Sequence, residues 1–236
     1  MTAVAGPAER REELKDVFRE ASACVRCPQL AQTRRTVVFG AGNADADLMF
    51  IGEAPGQTED ERGLPFVGRA GVLLAELLGE IGLARGDVFI TNVLMCRPPG
   101  NRDPHPVEVE RCQEWLWRKL DLVRPTVVCA LGNFAAKLLR DDPTGITRIH
   151  GRVEERRLGS LNVRLLPLFH PAAALYTPAN VEVLRQDFQV IPDLLALPPL
   201  PAPDAAAEPD APPAREPDGI PPAGTAPDDT TQLGLF

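Results

Sequence analysis

Four cysteines, an acid, an amide and an imidazole are the groups in this chain whose placement could do chemistry. Cys24 and Cys27 form a Cys-x2-Cys pair, and after 68 intervening residues Cys96 opens a Cys-x15-Cys pair with Cys112. Ligands so far apart in sequence meet only in the fold, where a bound metal would close a long loop. Four thiolates suit zinc as well as an iron–sulfur cluster, and spacing alone does not separate the two. Between the pairs lies GEAPGQTED, residues 52–60, which places Glu53 directly after an apolar run. Asn92 and His170 stand after two further runs. A carboxylate, an amide and an imidazole are groups that move protons and hold a ligand by hydrogen bonds.

The elements that must position these groups alternate. Helical periodicity runs through residues 8–21, 70–82, 106–123, 133–141 and 181–196, with Pro106 suited to a first helical turn. Short apolar segments at 47–53, 87–93, 126–132 and 162–169 read as strands. Alternating strands and helices imply a parallel sheet covered on both faces and joined by right-handed crossovers. No internal repeat is evident.

In such a sheet a ligand sits beyond the carboxyl ends of the strands. The four expected strands end at Glu53, Asn92, Asn133 and His170–Pro171, so an acid, an amide and a histidine converge on one rim. Each has an ordinary reading taken singly: Glu53 as a turn cap, Asn92 as an Asx-turn residue, His170 as a loop residue before proline. Their coincidence at strand ends favours a shared site. Cys129, inside TVVCALG, reads as a core residue.

Composition sets the surroundings. With 236 residues, 44% of them hydrophobic, the chain can bury one sizeable core. The N-terminal MTAVAGPAERREELKD has no apolar leader, and no stretch approaches 18 uninterrupted apolar residues, which points to a cytoplasmic protein without membrane contact. In a reducing compartment spaced cysteines are metal or cluster ligands rather than disulfides. The net charge is −8, but residues 197–236 hold seven acids and one base, so the body over 1–196 is near neutral. That tail also carries 11 of the 25 prolines amid alanine and aspartate, a composition expected to be disordered.

Three segments then carry a resemblance: GEAPGQTEDERGLPFVGRAG (52–71), TNVLMCRPPGNRDP (91–104) and HPAAAL (170–175), with the four cysteines. They resemble the family-4 uracil-DNA glycosylases, the iron–sulfur type of bacteria and archaea, over roughly residues 10–195. The resemblance implies a three-layer α/β/α sandwich around a four-stranded parallel sheet, a [4Fe-4S] cluster on Cys24, Cys27, Cys96 and Cys112, and hydrolysis of the N-glycosidic bond of deoxyuridine in DNA by a monomer. It implies that Phe66 stacks on a flipped uracil, that Asn92 pairs with its N3/O4 edge, and that His170 donates to O2 as charge builds there. Glu53 would hold the attacking water or offset the oxocarbenium charge, and Glu59 would stand at C5, where it excludes the thymine methyl. Ala54 occupies the place where family-1 enzymes carry an aspartate.

The only lysines are Lys15, Lys119 and Lys137, none within these motifs, so a Schiff-base lyase step has no amine and the enzyme should leave an intact abasic site. Arg62, Arg69, Arg97 and Arg102 are candidate phosphate contacts or solvated charges. Tyr176 stands where the family often has a basic residue. Two other readings compete: a non-catalytic DNA-binding domain of the same fold, and a glycosylase for hypoxanthine or xanthine. The chain ends in Gln232-Leu233-Gly234-Leu235-Phe236, which looks like the peptide by which bacterial polymerases and repair proteins bind the sliding clamp.

Overall fold

Five consecutive apolar residues, Leu48–Gly52, form strand β2, buried along its whole length because both faces of the sheet are covered. Leu48 and Phe50 point into one core and Met49 and Ile51 into the other, as the two-residue period of a strand requires. The computed structural model describes residues 6–203; the acidic tail from 204 onward and its terminal Gln232–Phe236 motif lie outside the described residues.

Chain order is α1 (Pro7–Ser22), α2 (Pro28–Thr33), β1 (Ala41–Gly42), β2, α3 (Gln57–Arg62), α4 (Arg69–Glu80), β3 (Phe89–Asn92), a 3-10 turn at Pro99–Asn101 and α5 (Pro106–Val123). It continues through β4 (Val127–Leu131), α6 (Gly132–Arg140), α7 (Ile146–Ile149), β5 (Glu154–Leu158), β6 (Leu161–Leu168), α8 (Pro171–Tyr176), α9 (Pro178–Phe188) and α10 (Ile191–Ala196). The sheet order is β1-β3-β2-β4-β6-β5. Its four inner strands are parallel and are those expected from sequence. The expected four-stranded parallel sheet is thus extended to a mixed sheet of six by antiparallel edge strands, β1 on β3 and β5 on β6. From β2 the chain passes to β3 on one side, and from β4 to β6 on the other, so the connections diverge between β2 and β4 and open a crevice at their carboxyl ends.

One core lies between the sheet and α1, α5 and α6; the second lies under α4, α9 and α10, where Phe50 stacks on Phe188 with ring centroids 5.7 Å apart. Cys129 is fully buried in the second core. The stretch 181–196, read as one helix, is two: Pro192 lacks an N–H and its ring would clash with the carbonyl of Phe188, so α9 ends there and α10 starts afresh. Helix α5 begins with Pro106 at its first position, and the Glu108 carboxylate accepts from the His105 N–H at 2.9 Å. After α10 the chain crosses the beginning of β6, where Arg164 Nη2 donates to the Pro198 carbonyl at 2.8 Å and Asn162 Nδ2 to the Pro201 carbonyl at 2.9 Å. Among the described residues no helix is long and apolar enough to cross a membrane.

Candidate active site

At the carboxyl ends of the inner strands lies a cavity of about 410 Å³, and Glu53, Glu59, Phe66, Asn92 and His170 all line it. The ends of β2, β3 and β6, helix α3 and the turn between α3 and α4 therefore deliver the five expected side chains to one place.

Asn92 ends β3 and is 2% exposed, yet its Oδ1 has no hydrogen-bond partner among the described residues. A buried carbonyl without a donor costs free energy unless a ligand supplies one. Gly52, paired with Asn92 across the β2–β3 ladder, makes the approach possible: a Cβ there would run into Asn92 Oδ1 and lie 2.8 Å from Phe66 Cζ.

His170 precedes Pro171 at the start of α8. The Ala172 N–H donates to its Nδ1 at 3.1 Å, which leaves Nε2 as the ring's donor. Burial pushes the imidazole down to about 4, so it is neutral at physiological pH. Its ring stacks against Phe66, centroids 5.5 Å apart. Gly132, at φ +89°, opens α6 directly behind it, and a Cβ there would sit 3.0 Å from His170 Cβ.

Glu53 is half-buried, and no protein donor among the described residues reaches its carboxylate. Burial, and then the negative charge of Asp103, raise its pKa. Glu59 is differently placed: its Oε1 accepts from the N–H groups of Val67 and Gly68 at 2.9 and 2.8 Å, so the side chain that lines the pocket also holds the turn carrying Phe66. Phe66 itself has φ +50°, a left-handed conformation that a bulky residue adopts only under constraint.

Of the four arginines singled out from sequence, Arg102 lines the pocket but is engaged in a two-pronged ion pair with Glu108 (2.9 and 2.6 Å), and Arg97 Nε donates to Asn101 Oδ1 at 2.7 Å. Arg62 and Arg69 are exposed. No lysine lines the pocket. Lys119 is fully buried elsewhere, donating to the Phe39 carbonyl at 2.8 Å and to Thr91 Oγ1 at 2.6 Å. Sequence reasoning missed Arg85, whose guanidinium donates to the carbonyls of Pro65 and Phe66 at 2.6 and 2.7 Å. Nothing in its local sequence points to those acceptors, which lie about 20 residues upstream.

Cys24, Cys27, Cys96 and Cys112 line a second, smaller pocket, together with Arg26, Arg34 and Arg111. They form no disulfide. Among the described residues no three His, Cys, Asp or Glu side chains converge closely enough to hold a single metal ion; the four thiols instead surround a space. Burial raises the pKa of Cys27 and Cys96 and pushes Cys112 up to about 11, so ligation would displace protons. Arg34 Nη1 lies 3.2 Å from Cys96 Sγ, and its Nη2 donates to the Cys24 carbonyl at 2.7 Å.

The profile of the uracil DNA glycosylase superfamily matches residues 39–191. A type-4 uracil-DNA glycosylase of Archaeoglobus fulgidus is 46% identical over 187 residues, covering 78% of this chain and 94% of the relative. Those of Sulfurisphaera tokodaii and Thermotoga maritima are 39% and 42% identical, covering 79% and 72% of this chain and 87% and 88% of the relatives.

Proposed function

The chain belongs to the type-4 uracil-DNA glycosylases of the uracil DNA glycosylase superfamily, and from that premise we propose that Phe66, Asn92, His170 and Glu53 divide between them the excision of uracil from DNA. The enzyme is a hydrolase of N-glycosyl bonds. A base inside a duplex is out of reach of such a cavity, so the nucleotide must rotate out of the stack to enter it.

The observation that carries the assignment is the unpartnered, buried Oδ1 of Asn92. Uracil offers a donor at N3 and an acceptor at O4, and one amide satisfies both. Cytosine, with an acceptor at N3 and a donor at C4, leaves like facing like. Phe66 forms the platform under the ring. As the bond between C1′ and N1 breaks, the electron pair leaves with uracil and charge gathers on N1 and O2. The neutral His170, whose Nε2–H is the ring's donor, stabilises that anion at O2. Glu53, a carboxylate without a donor among the described residues, orients the water that attacks C1′ and accepts its proton. Glu59 closes the C5 side against a methyl group. The absence of a lysine from the pocket lining supports a monofunctional reaction that leaves the abasic site intact.

The four thiols fit a [4Fe-4S] cluster better than one zinc ion: they surround a space instead of meeting at a point, and the neighbouring arginines offset the negative charge of a thiolate cluster. When bound, such a cluster supplies a staple between the α1–α2 connection, the segment after β3 and α5. The segment after β3 continues through Pro98, Asn101 and Arg102 to the uracil pocket. About four irons per chain and broad visible absorbance are the expected readouts; stoichiometric zinc without iron would overturn this. The terminal Gln232, Leu233, Leu235 and Phe236 form a docking peptide for a bacterial sliding clamp, tested by binding of a peptide of residues 226–236 and its loss with Leu235→Ala and Phe236→Ala.

Incubation with uracil-containing, hypoxanthine-containing and undamaged oligonucleotides, followed by alkali, tests the reaction: cleavage confined to the uracil strand is expected. Preferential cleavage at hypoxanthine would favour the competing substrate class.

A further inference from the structure

Four consecutive residues, Pro65–Gly68, have one backbone group each tied down by only two side chains. Arg85, in the connection between α4 and β3, donates Nη2 to the Pro65 carbonyl at 2.6 Å and Nη1 to the Phe66 carbonyl at 2.7 Å. Glu59, on α3, accepts from the Val67 and Gly68 N–H groups at 2.9 and 2.8 Å through a single oxygen. The two carbonyls accept from the cation and the two N–H groups donate to the anion, so the turn is held as one plate by side chains of opposite charge. Phe66 sits inside this plate at φ +50°, 6% exposed. Behind it, Gly71 on α4 lets the Phe66 carbonyl lie directly against the helix, where any Cβ would collide with it.

An aromatic residue does not hold a left-handed conformation by itself, and a rotation of its φ toward the ordinary range would swing the ring off the pocket. The planar guanidinium fork spans two successive carbonyls, a geometry that an ammonium cannot copy. Arg85 does not line the cavity and cannot touch a base there.

We propose that Arg85 is a positioning residue for uracil recognition: by bridging the Pro65 and Phe66 carbonyls it fixes the plane of the Phe66 ring opposite His170. The proposal rests on Phe66 being the platform for the base. Arg85 should therefore matter for the tightness with which free uracil is held as well as for turnover, and its effect should vanish when the ring is removed.

The test is a double-substitution cycle on the full chain, reading kcat/KM on a uracil oligonucleotide and the inhibition constant of free uracil, with fold and visible absorbance checked in each protein. Arg85→Ala is expected to weaken uracil inhibition and kcat/KM by at least tenfold in the wild-type background, and by less than twofold in the Phe66→Ala background. Arg85→Lys, which keeps the charge but not the fork, should fall between. Equal losses in both backgrounds would show that Arg85 only supports the fold, and would overturn the proposal. If Phe66→Ala alone leaves both quantities unchanged, the platform assignment fails first, and the Arg85 proposal with it. Should Arg85→Ala not fold, the same cycle with Arg85→Lys decides by the same criterion.

Discussion

The N–H of Ala172, in the first turn of α8, donates to Nδ1 of His170. That one contact selects the tautomer with its proton on Nε2, in a ring that lines the pocket, and it does so through backbone that Pro171 has already shaped. With the imidazole pushed down to about 4, no rate inflection near 6.5 should come from His170. His170→Ala is expected to lower kcat by about 10²–10³-fold, as removal of an oxyanion donor does. Stability has the opposite dependence on acid. Below 6.5 the unfolded chain takes up a proton that the folded chain refuses until about 4, so stability falls across that range by about 3 kcal/mol. Denaturant midpoints at several pH values, compared with a His170→Asn protein that lacks this contribution, check it.

The pKa of Glu53 is raised by burial and by Asp103, and the proposed reaction uses its carboxylate form. The acid limb of kcat/KM should therefore lie above the ordinary glutamate value of 4.5. Asp103→Asn removes the like charge and should move that limb toward lower pH, with kcat at neutral pH nearly unchanged. Glu53→Gln should cost about 10²–10⁴-fold at every pH. A limb that ignores Asp103→Asn would show that another group controls it.

Glu59 is expected to act twice, at the C5 edge and as acceptor for the Val67 and Gly68 N–H groups. Glu59→Ala should lose both roles, admitting some thymine and also weakening uracil excision. Glu59→Gln keeps an oxygen acceptor and side-chain bulk, so thymine should stay excluded while uracil activity drops less. Competition between T- and U-containing strands distinguishes the two variants, and unchanged discrimination in Glu59→Ala would move the guard elsewhere.

Gly52→Ala places a methyl against Asn92 Oδ1 and Phe66 Cζ at once. A displacement of either by about 1 Å suffices for a loss of about 10²-fold in kcat/KM. The sheet pairing of β2 need not change, so thermal stability should fall far less than activity. Parallel melting and rate measurements read the two effects.

The parts of this architecture that were legible from sequence are those where apolar periodicity and position coincide. β2, β3, β4 and β6 announce themselves as apolar runs, and Glu53, Asn92 and His170, at the ends of β2, β3 and β6, are polar lining of the pocket. β1 is only Ala41–Gly42, where the Gly42 backbone lies against the Val88 carbonyl, and β5 is the charged EERRL held by pairing to β6. Neither has a hydrophobic signal, because an edge strand is specified by its neighbour's backbone and not by its own side chains. Arg85 was hidden for a related reason: its partners are carbonyl oxygens, which carry no side-chain identity. The double duty of Glu59 was invisible too, since the turn it holds exists only once α3 and α4 are packed.

The segment over Pro198 and Pro201 gives the molecule a polarity that matters for anything attached to it. Arg164 and Asn162 fasten that segment to the start of β6, whereas the pocket opens past the other end of the same strand, about 20 Å away along its length. Pro198 and Pro201 thus lie on the blunt side of the enzyme. A bead, a fluorophore or a fused reader domain joined there starts from the side away from the crevice, and a strand threading the crevice should be free to enter and leave while the protein is held fast.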